Sequence, residues 1–135
     1  MASADGGFSG RAALLLTLAA GLAATVAGCS SADEPEVRDI ASSFASSGPQ
    51  GRCDLLAPAT LTSLVQGGES CPEAIQHLPV GSGEVVSVEV WGVDAQVHLT
   101  DDTLFLTRDD TGWRVSAAAC APAGKGSYLC QVEAS

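Results

Sequence analysis

The sequence predicts an α+β domain in which amino-terminal helices pack on an antiparallel sheet of four to five strands, stabilised by two disulfides. Apolar residues recur at helical spacing as far as Leu78, and from Gly83 onward they alternate with other residues. Alternation with a period of two is typical of half-buried strands. Because short turns separate the alternating segments, consecutive strands are expected to pair with one another.

The first helix is predicted between Asp33 and Gly48. Asp33 or Glu34 can cap its start, and Pro35 suits its first turn because no N–H is needed there. Gly48 and Pro49 are predicted to end the helix. Its apolar residues fall on one stripe that can pack on a sheet: Val37, Ile40, Ala41, Phe44 and Ala45.

Two further helical segments are predicted before the sheet. Residues 53–68 are apolar at helical spacing, and Pro58 interrupts or kinks that segment. Ser70 and Glu73 have the spacing of a capping box, in which each residue satisfies a backbone group of the helix start. A short third helix is therefore predicted from there to Leu78.

Four alternating segments and one shorter segment predict the strands. Turn residues connect the first four: Gly92, the pair Asp101–Asp102, and residues 109–112. A fifth strand, residues 127–133, follows a loop rich in Gly and Pro. The residues expected to face the helices are Val86, Val88, Val90, Ala95, Val97, Leu99, Leu104, Leu106, Trp113, Val115, Ala117 and Ala119.

An apolar run, residues 12–27, follows Arg11 and ends in small residues. This layout is typical of a secretory signal peptide, so residues 1–28 are predicted to be a cleaved leader. The alternative is a permanent transmembrane helix. Such a helix needs about 20 apolar residues, and this run is shorter and contains Gly21. The chain is therefore predicted to be exported.

The end of the apolar run, Val26-Ala27-Gly28-Cys29, resembles the lipobox of bacterial lipoproteins. The resemblance implies that the Cys29 thiol receives a diacylglyceryl group and that the chain is cut before Cys29. Two acyl chains give stable membrane attachment. Residues 29–35 would then form a short tether and residues 36–135 a single domain on the extracytoplasmic face of the cell membrane.

Four cysteines remain once Cys29 is assigned: Cys53, Cys71, Cys120 and Cys130. An even number in an exported chain predicts a disulfide framework. Three pairings exist, and we favour Cys53–Cys71 and Cys120–Cys130 because each pair lies within one local segment. Neither the closely spaced pairs of a zinc site nor the C-x-x-C of a redox centre occurs.

The formal charge of the chain is −10, almost all of it after Cys29, and its few cations do not cluster. Nucleic-acid binding requires Lys and Arg to neutralise phosphates, so the composition disfavours it. A basic patch for anionic lipids is excluded on the same ground. The acidity keeps an exported domain soluble, and we expect a monomer.

The stretches CDLLAPATLTSL, VEVWGVDAQVHL, TLFLTRDDTGWRVSAAAC and SYLCQVE resemble small lipoproteins of actinobacteria. The order of elements over residues 34–134 resembles the NTF2-like (cystatin-like) superfamily. This resemblance implies a curved sheet with the helices packed in its concavity. It also implies a cone between helices and sheet, where enzymes of the superfamily place Asp, His or Tyr.

Candidate site residues are few. His98 is the best acid or base candidate because histidine titrates near neutrality, although the alternation places it on the sheet face opposite the apolar side chains. Trp91 and Tyr128 are candidates for a pocket or an exposed binding patch. The pairs Asp101–Asp102 and Asp109–Asp110 are interpreted as turn residues because no calcium-loop spacing surrounds them. No cofactor or metal is expected.

The sequence therefore predicts a membrane-anchored accessory module that binds an envelope protein and is not an enzyme. The alternative is a carrier of small ligands, or a degenerate enzyme, that uses the cone. A cone filled by Phe44, Leu64 and Val97 would favour the interaction module. An apolar pocket with His98 or Tyr128 pointing inward would favour the alternative.

Overall fold

The computed structural model describes residues 29–135, with side-chain packing from residue 32 onward. The predicted leader, including the lipobox residues Val26, Ala27 and Gly28, lies outside the described residues. The order of elements is α1 (Cys29–Ser46), α2 (Pro49–Asp54), α3 (Pro58–Leu64), α4 (Cys71–Ile75), β1 (Val85–Trp91), β2 (Asp94–Leu99), β3 (Thr103–Asp109), β4 (Gly112–Pro122) and β5 (Tyr128–Glu133). Helices packed on an antiparallel sheet confirm the predicted α+β class.

The limits of the first helix differ from the prediction at both ends. α1 begins at Cys29 rather than Asp33, so Pro35 lies inside the helix. Proline has no N–H to donate, and the helix continues through it at the cost of one backbone hydrogen bond. At the other end, Pro49 does not merely stop α1. It starts α2, where its fixed backbone angle suits the first helical position.

The predicted second helical segment is interrupted at Pro58, which is the first residue of α3. Between α2 and α3 the chain runs beside β4: the Ala57 N–H donates to the Val115 carbonyl at 2.8 Å, and the Val115 N–H donates to Leu55 at 2.9 Å. The capping box is confirmed, since the Ser70 N–H donates to Glu73 Oε2 at 3.1 Å. α4 is shorter than predicted and ends at Ile75.

The five strands form one sheet in the order β1-β2-β3-β4-β5, with every neighbouring pair antiparallel. The turns of this sheet lie at two opposite ends. The upper end contains the β1–β2 turn at residues 92–93 and the β3–β4 turn at residues 110–111. The lower end contains the β2–β3 turn at residues 100–102 and the segment 81–83 that leads into β1. α1 starts at the upper end and finishes at the lower end.

One face of the sheet packs on the helices and forms the core. Phe44, Val97 and Val115 are fully buried there, and Trp113 is 2% exposed. The predicted inward positions of β2, β3 and β4 are buried, as alternation requires. Val86 is the exception, with 63% of its surface exposed. A register shift between Val85 and Ser87 turns it outward, so its predicted inward position was wrong.

Both predicted disulfides are confirmed. Cys53–Cys71 joins α2 to α4, with Cα atoms 6.1 Å apart, and Cys120–Cys130 joins opposing residues of β4 and β5. The bridges close loops of 18 and 10 residues. Closures of this length stabilise a domain by roughly 2–4 kcal/mol each.

Candidate functional site

The space between the helices and the sheet is filled by side chains. Phe44 and Val97 have no exposed surface, and Leu64 packs against the hydrophobic core that contains them. Both residues that a cone-shaped pocket would need, His98 and Tyr128, lie on the other side of the sheet. Tight apolar packing of this kind leaves no room for a ligand at its centre.

A shallow groove lies at the lower end, between the last turns of α1 and the start of β1. Its volume is about 290 Å³, and its lining comprises Ser42, Ala45, Ser46, Ser82, Gly83, Glu84 and Val85. None of the predicted site residues belongs to this lining. The Ser46 hydroxyl donates to the Ser42 carbonyl at 2.9 Å, so it is already engaged within its own helix.

The face opposite the helices carries a connected set of polar side chains. Gln96 Nε2 donates to Tyr128 Oη at 3.1 Å and lies 3.2 Å from His98 Nε2. His98 Nδ1 lies 3.1 Å from Thr103 Oγ1. The ring of Phe105 packs edge to face on Tyr128, with centroids 5.3 Å apart. We call these five residues (Gln96, His98, Thr103, Phe105 and Tyr128) the outer-face cluster.

The His98 ring is held from both sides. Its Nε2 contacts the Gln96 amide and its Nδ1 contacts the Thr103 hydroxyl, so the two contacts fix the orientation of the imidazole on the outer face.

Sequence reasoning found two members of this cluster and missed the other three. Gln96 and His98 share one face of β2, which alternation reveals. Thr103 and Phe105 reach them through the β2–β3 register, in which His98 pairs with Thr103 and Gln96 with Phe105. Tyr128 comes from β5, three positions away in the sheet order, so local pattern could not link it to Gln96.

Trp91 does not join the outer-face cluster. It is the last residue of β1, pairs with Asp94 and lies at the upper end of the sheet. Its surface is 49% exposed, and the neighbouring Val93 is 53% exposed. The predicted patch of Trp91, His98 and Tyr128 is thus two separate features, a hydrogen-bonded cluster and an apolar turn.

At the lower end, Asp102 does more than form a turn. Its carboxylate accepts hydrogen bonds from the N–H groups of Gly81, Thr103, Ala119 and Cys120 at 2.7–3.0 Å. Ala119 has φ of +52°, a left-handed conformation that is strained for a residue with a Cβ. The two bonds to β4 hold the backbone in that conformation.

Asp101 fixes the adjoining segment. Its carboxylate accepts from the N–H groups of Ser82 and Gly83 at 3.0 and 2.9 Å, and these bonds lower the pKa of Asp101 from its ordinary value of 3.8. A Cβ at residue 83 would overlap Thr100 Oγ1, so this close approach requires glycine. Arg52 completes the lower end by donating to the carbonyls of Phe44, Ala45 and Gly81.

The described residues were also considered as a metal site and as a membrane-spanning segment. From residue 32 onward, His, Cys, Asp and Glu side chains form no group of three or more that could hold a metal ion. Among α1 to α4, none has the length and apolar character needed to cross a bilayer. Cys29 is the first residue of α1, and its predicted lipidation involves a side chain that is not described.

The comparisons with known proteins return no relative. Neither a protein-family model, nor a curated protein, nor a solved structure matches this chain. The outer-face cluster and the two ends of the sheet therefore have to be interpreted from their own chemistry.

Proposed function

We propose that the chain is an exported lipoprotein, anchored to the extracytoplasmic face of the membrane through Cys29, and a non-enzymatic interaction module of the cell envelope. The observation that carries this proposal is the position of the outer-face cluster. It lies on the sheet face that the helices leave uncovered, whereas the interior is filled by residues such as Phe44 and Val97. A preorganised open face suits a partner better than a small ligand.

Export is supported by the two disulfides, which indicate an extracytoplasmic protein because they persist in oxidising compartments. They also use four of the five cysteines, and Cys29 is the fifth. That division agrees with a separate role for the Cys29 thiol, which the lipobox-like sequence assigns to lipid attachment.

The partner we propose is an envelope protein with a basic contact surface. Glu89 is exposed and lies beside Gln96 in the β1–β2 register, so a carboxylate borders the outer-face cluster. None of the five cluster residues is a lysine or an arginine. An acidic and aromatic surface is complementary to Lys and Arg side chains, which pair with carboxylates and stack on rings.

The NTF2-like relationship belongs to the same proposal. Its support is the order of elements, in which the helices precede a five-stranded antiparallel meander. Superposition of the sheet on members of that superfamily tests the relationship. A sheet that cannot be superposed in the same strand order would contradict it.

Lipid attachment is tested by growing cells with radiolabelled fatty acid and isolating the protein. The unmodified chain should carry label, and Cys29→Ser should carry none because only sulfur forms the thioether. A Cys53→Ser, Cys71→Ser double variant is the control, since it also loses cysteines but keeps Cys29. Equal labelling of the unmodified chain and Cys29→Ser would refute the anchor.

Partner binding is tested by placing a photo-crosslinking amino acid at residue 89, beside the outer-face cluster. The matched control carries the same amino acid at residue 39, an exposed position on α1. We expect one discrete protein adduct from residue 89 that Tyr128→Ala abolishes, because Tyr128 holds the cluster together. Equal adducts from both positions, or an adduct that survives Tyr128→Ala, would contradict the assigned face.

A further inference from the structure

We infer that the turn Trp91-Gly92-Val93 is a second membrane contact, which enters the bilayer interface beside the lipid on Cys29 and fixes the orientation of the domain. We call these three residues the apolar tip. The inference rests on the proposed attachment through Cys29. It adds a contact surface, its partner (a lipid headgroup layer) and a defined upright orientation.

The apolar tip and the start of α1 lie at the same end of the sheet. Asp33 is four residues after Cys29, about 6 Å along the helix. Its carboxylate accepts from Arg108 at 2.9 Å, and the Arg108 N–H donates to the Val93 carbonyl at 2.8 Å. Two direct contacts therefore connect the first helical turns to the tip.

This connection leaves little freedom between the anchor and the tip. α1 starts at Cys29, so residues 29–35, predicted as a tether, belong to the same helix that packs on the sheet. A lipid on Cys29 would bring the upper end of the sheet to the membrane surface. The lower end would then point away, because α1 spans 18 residues, about 27 Å, between the two.

The side chains of the tip suit a lipid interface. Trp91 is 49% exposed and Val93 is 53% exposed, although both are large and apolar. Tryptophan is enriched at the headgroup level of membranes because its ring is apolar and its N–H remains hydrated. A glycine at φ +64° forms the turn between them, and a Cβ at residue 92 would meet nothing within 4 Å.

The charges around the tip select the type of lipid. Asp94, Asp109 and Asp110 are all exposed at the upper end. Carboxylates are repelled by anionic headgroups, so the contact must form with neutral ones. A second copy of this chain is disfavoured as the occupant for the same reason, because each copy has a formal charge of −10.

The orientation is tested on the mature chain, residues 29–135, which contains every described helix and strand. A lipid is coupled chemically to the Cys29 thiol, and the protein is placed on phosphatidylcholine vesicles whose acyl chains carry bromine. Bromine quenches nearby tryptophan. We expect the emission of Trp91 to be quenched and shifted to the blue. The variant Trp91→Phe retains only the buried Trp113 and therefore measures the background emission.

The matched control moves the probe to the other end of the sheet. Leu129 is 71% exposed at the start of β5, opposite Ala121, and therefore near the lower end. In the double variant Trp91→Phe, Leu129→Trp, the new tryptophan should show no quenching beyond that of Trp91→Phe. Quenching that disappears when Trp91 is replaced, and does not return at residue 129, supports the inference.

Two outcomes overturn it. An unquenched Trp91 would show that the tip stays in water, free for contact with a protein. Equal quenching at residues 91 and 129 would show that the domain has no fixed orientation. Because the lipid is attached chemically, neither result depends on natural acylation, so failure here is distinguishable from failure of the fatty-acid labelling experiment.

Discussion

The upper and lower ends of the sheet use aspartate in different ways. At the lower end, Asp101 and Asp102 together accept six backbone N–H groups from segment 81–83, Thr103 and β4. At the upper end, Asp109 bonds within its own turn among the described residues, to the N–H and hydroxyl of Thr111. The turn aspartates therefore make long-range contacts at the lower end and local ones at the upper end, where the long-range contact is instead the bond from Arg108 to Asp33 of α1.

This difference suggests that the lower end stabilises the fold and that the upper end contacts a partner. Satisfying backbone groups inside the protein rigidifies a segment, which suits the point where α1, β1 and β4 meet. The upper end leaves Trp91 and Val93 exposed and its turn carboxylates in water. A protein tolerates exposed apolar residues where they meet a partner, so the upper end is the one expected to bind.

The largest effect is expected for Trp113→Ala, which tests whether the helix side of the upper end is tightly packed. Trp113 is 2% exposed on the helix side of the sheet, and the guanidinium of Arg108 lies 5.5 Å from its ring centre. Truncating a buried tryptophan costs about 3–5 kcal/mol. Urea denaturation should show a loss of that size.

Trp113→Phe is the control for this variant. The indole Nε1 is buried without a hydrogen-bond partner among the described residues, so phenylalanine removes an unsatisfied donor while keeping most of the apolar surface. Its loss should be much smaller than that of alanine. A small loss for Trp113→Ala as well would mean that the helix side of the upper end is not tightly packed.

The second effect is expected for Asp102→Ala, at the lower end. This change leaves four backbone N–H groups without their acceptor and removes the support of the strained Ala119. We expect the free energy of unfolding to fall by about 2–4 kcal/mol, measured with urea. Asp109→Ala, the control at the upper end, should change it little. Similar losses for both would remove the contrast between the ends.

The strands and disulfides could be predicted because their signals are local. Alternation within a segment reveals which residues of β2, β3 and β4 face the core, and proximity along the chain favours Cys53–Cys71 and Cys120–Cys130. The exceptions come from backbone geometry. The register shift beside Val86 and the continuation of α1 through Pro35 leave no mark in the apolar pattern.

The candidate site was predictable only in part, because its members meet through the sheet. His98 and Tyr128 were identified as single residues. Gln96 contacts both side chains, although Tyr128 lies on β5, three positions from β2 in the sheet order. Asp102 was interpreted as a turn residue, and its partners Ala119 and Cys120 lie 17 and 18 residues away. Contacts of this range depend on strand order and register, which composition does not encode.

A smaller effect with a defined pH dependence is expected for Asp101→Asn. Hydrogen bonds from Ser82 and Gly83 lower the pKa of Asp101 below 3.8, so its carboxylate stabilises the folded state above that pH. The contribution is lost as the pH falls through the lower, folded-state pKa. Because the group is exposed, we expect a loss of only about 1 kcal/mol near neutrality.

The measurement is the difference in unfolding free energy between the unmodified chain and Asp101→Asn, followed from about pH 7 to about pH 2. The difference should be constant above the ordinary pKa of aspartate and shrink below it. A difference that persists unchanged in acid would show that the carboxylate charge is not what holds segment 81–83. The lower end would then depend on Asp102 alone.

The smallest effect on stability is expected for Trp91→Ala, and its small size is informative. An exposed residue at a turn makes few contacts, so urea denaturation should show a change within about 0.5 kcal/mol. Trp113→Ala supplies the contrast, since it removes the same side chain at the same end of the sheet but from its buried face. A loss above about 1 kcal/mol for Trp91→Ala would mean that Trp91 is part of the packing. The exposure of Trp91 would then no longer indicate a binding surface, and the main argument for a membrane contact at the upper end would fail.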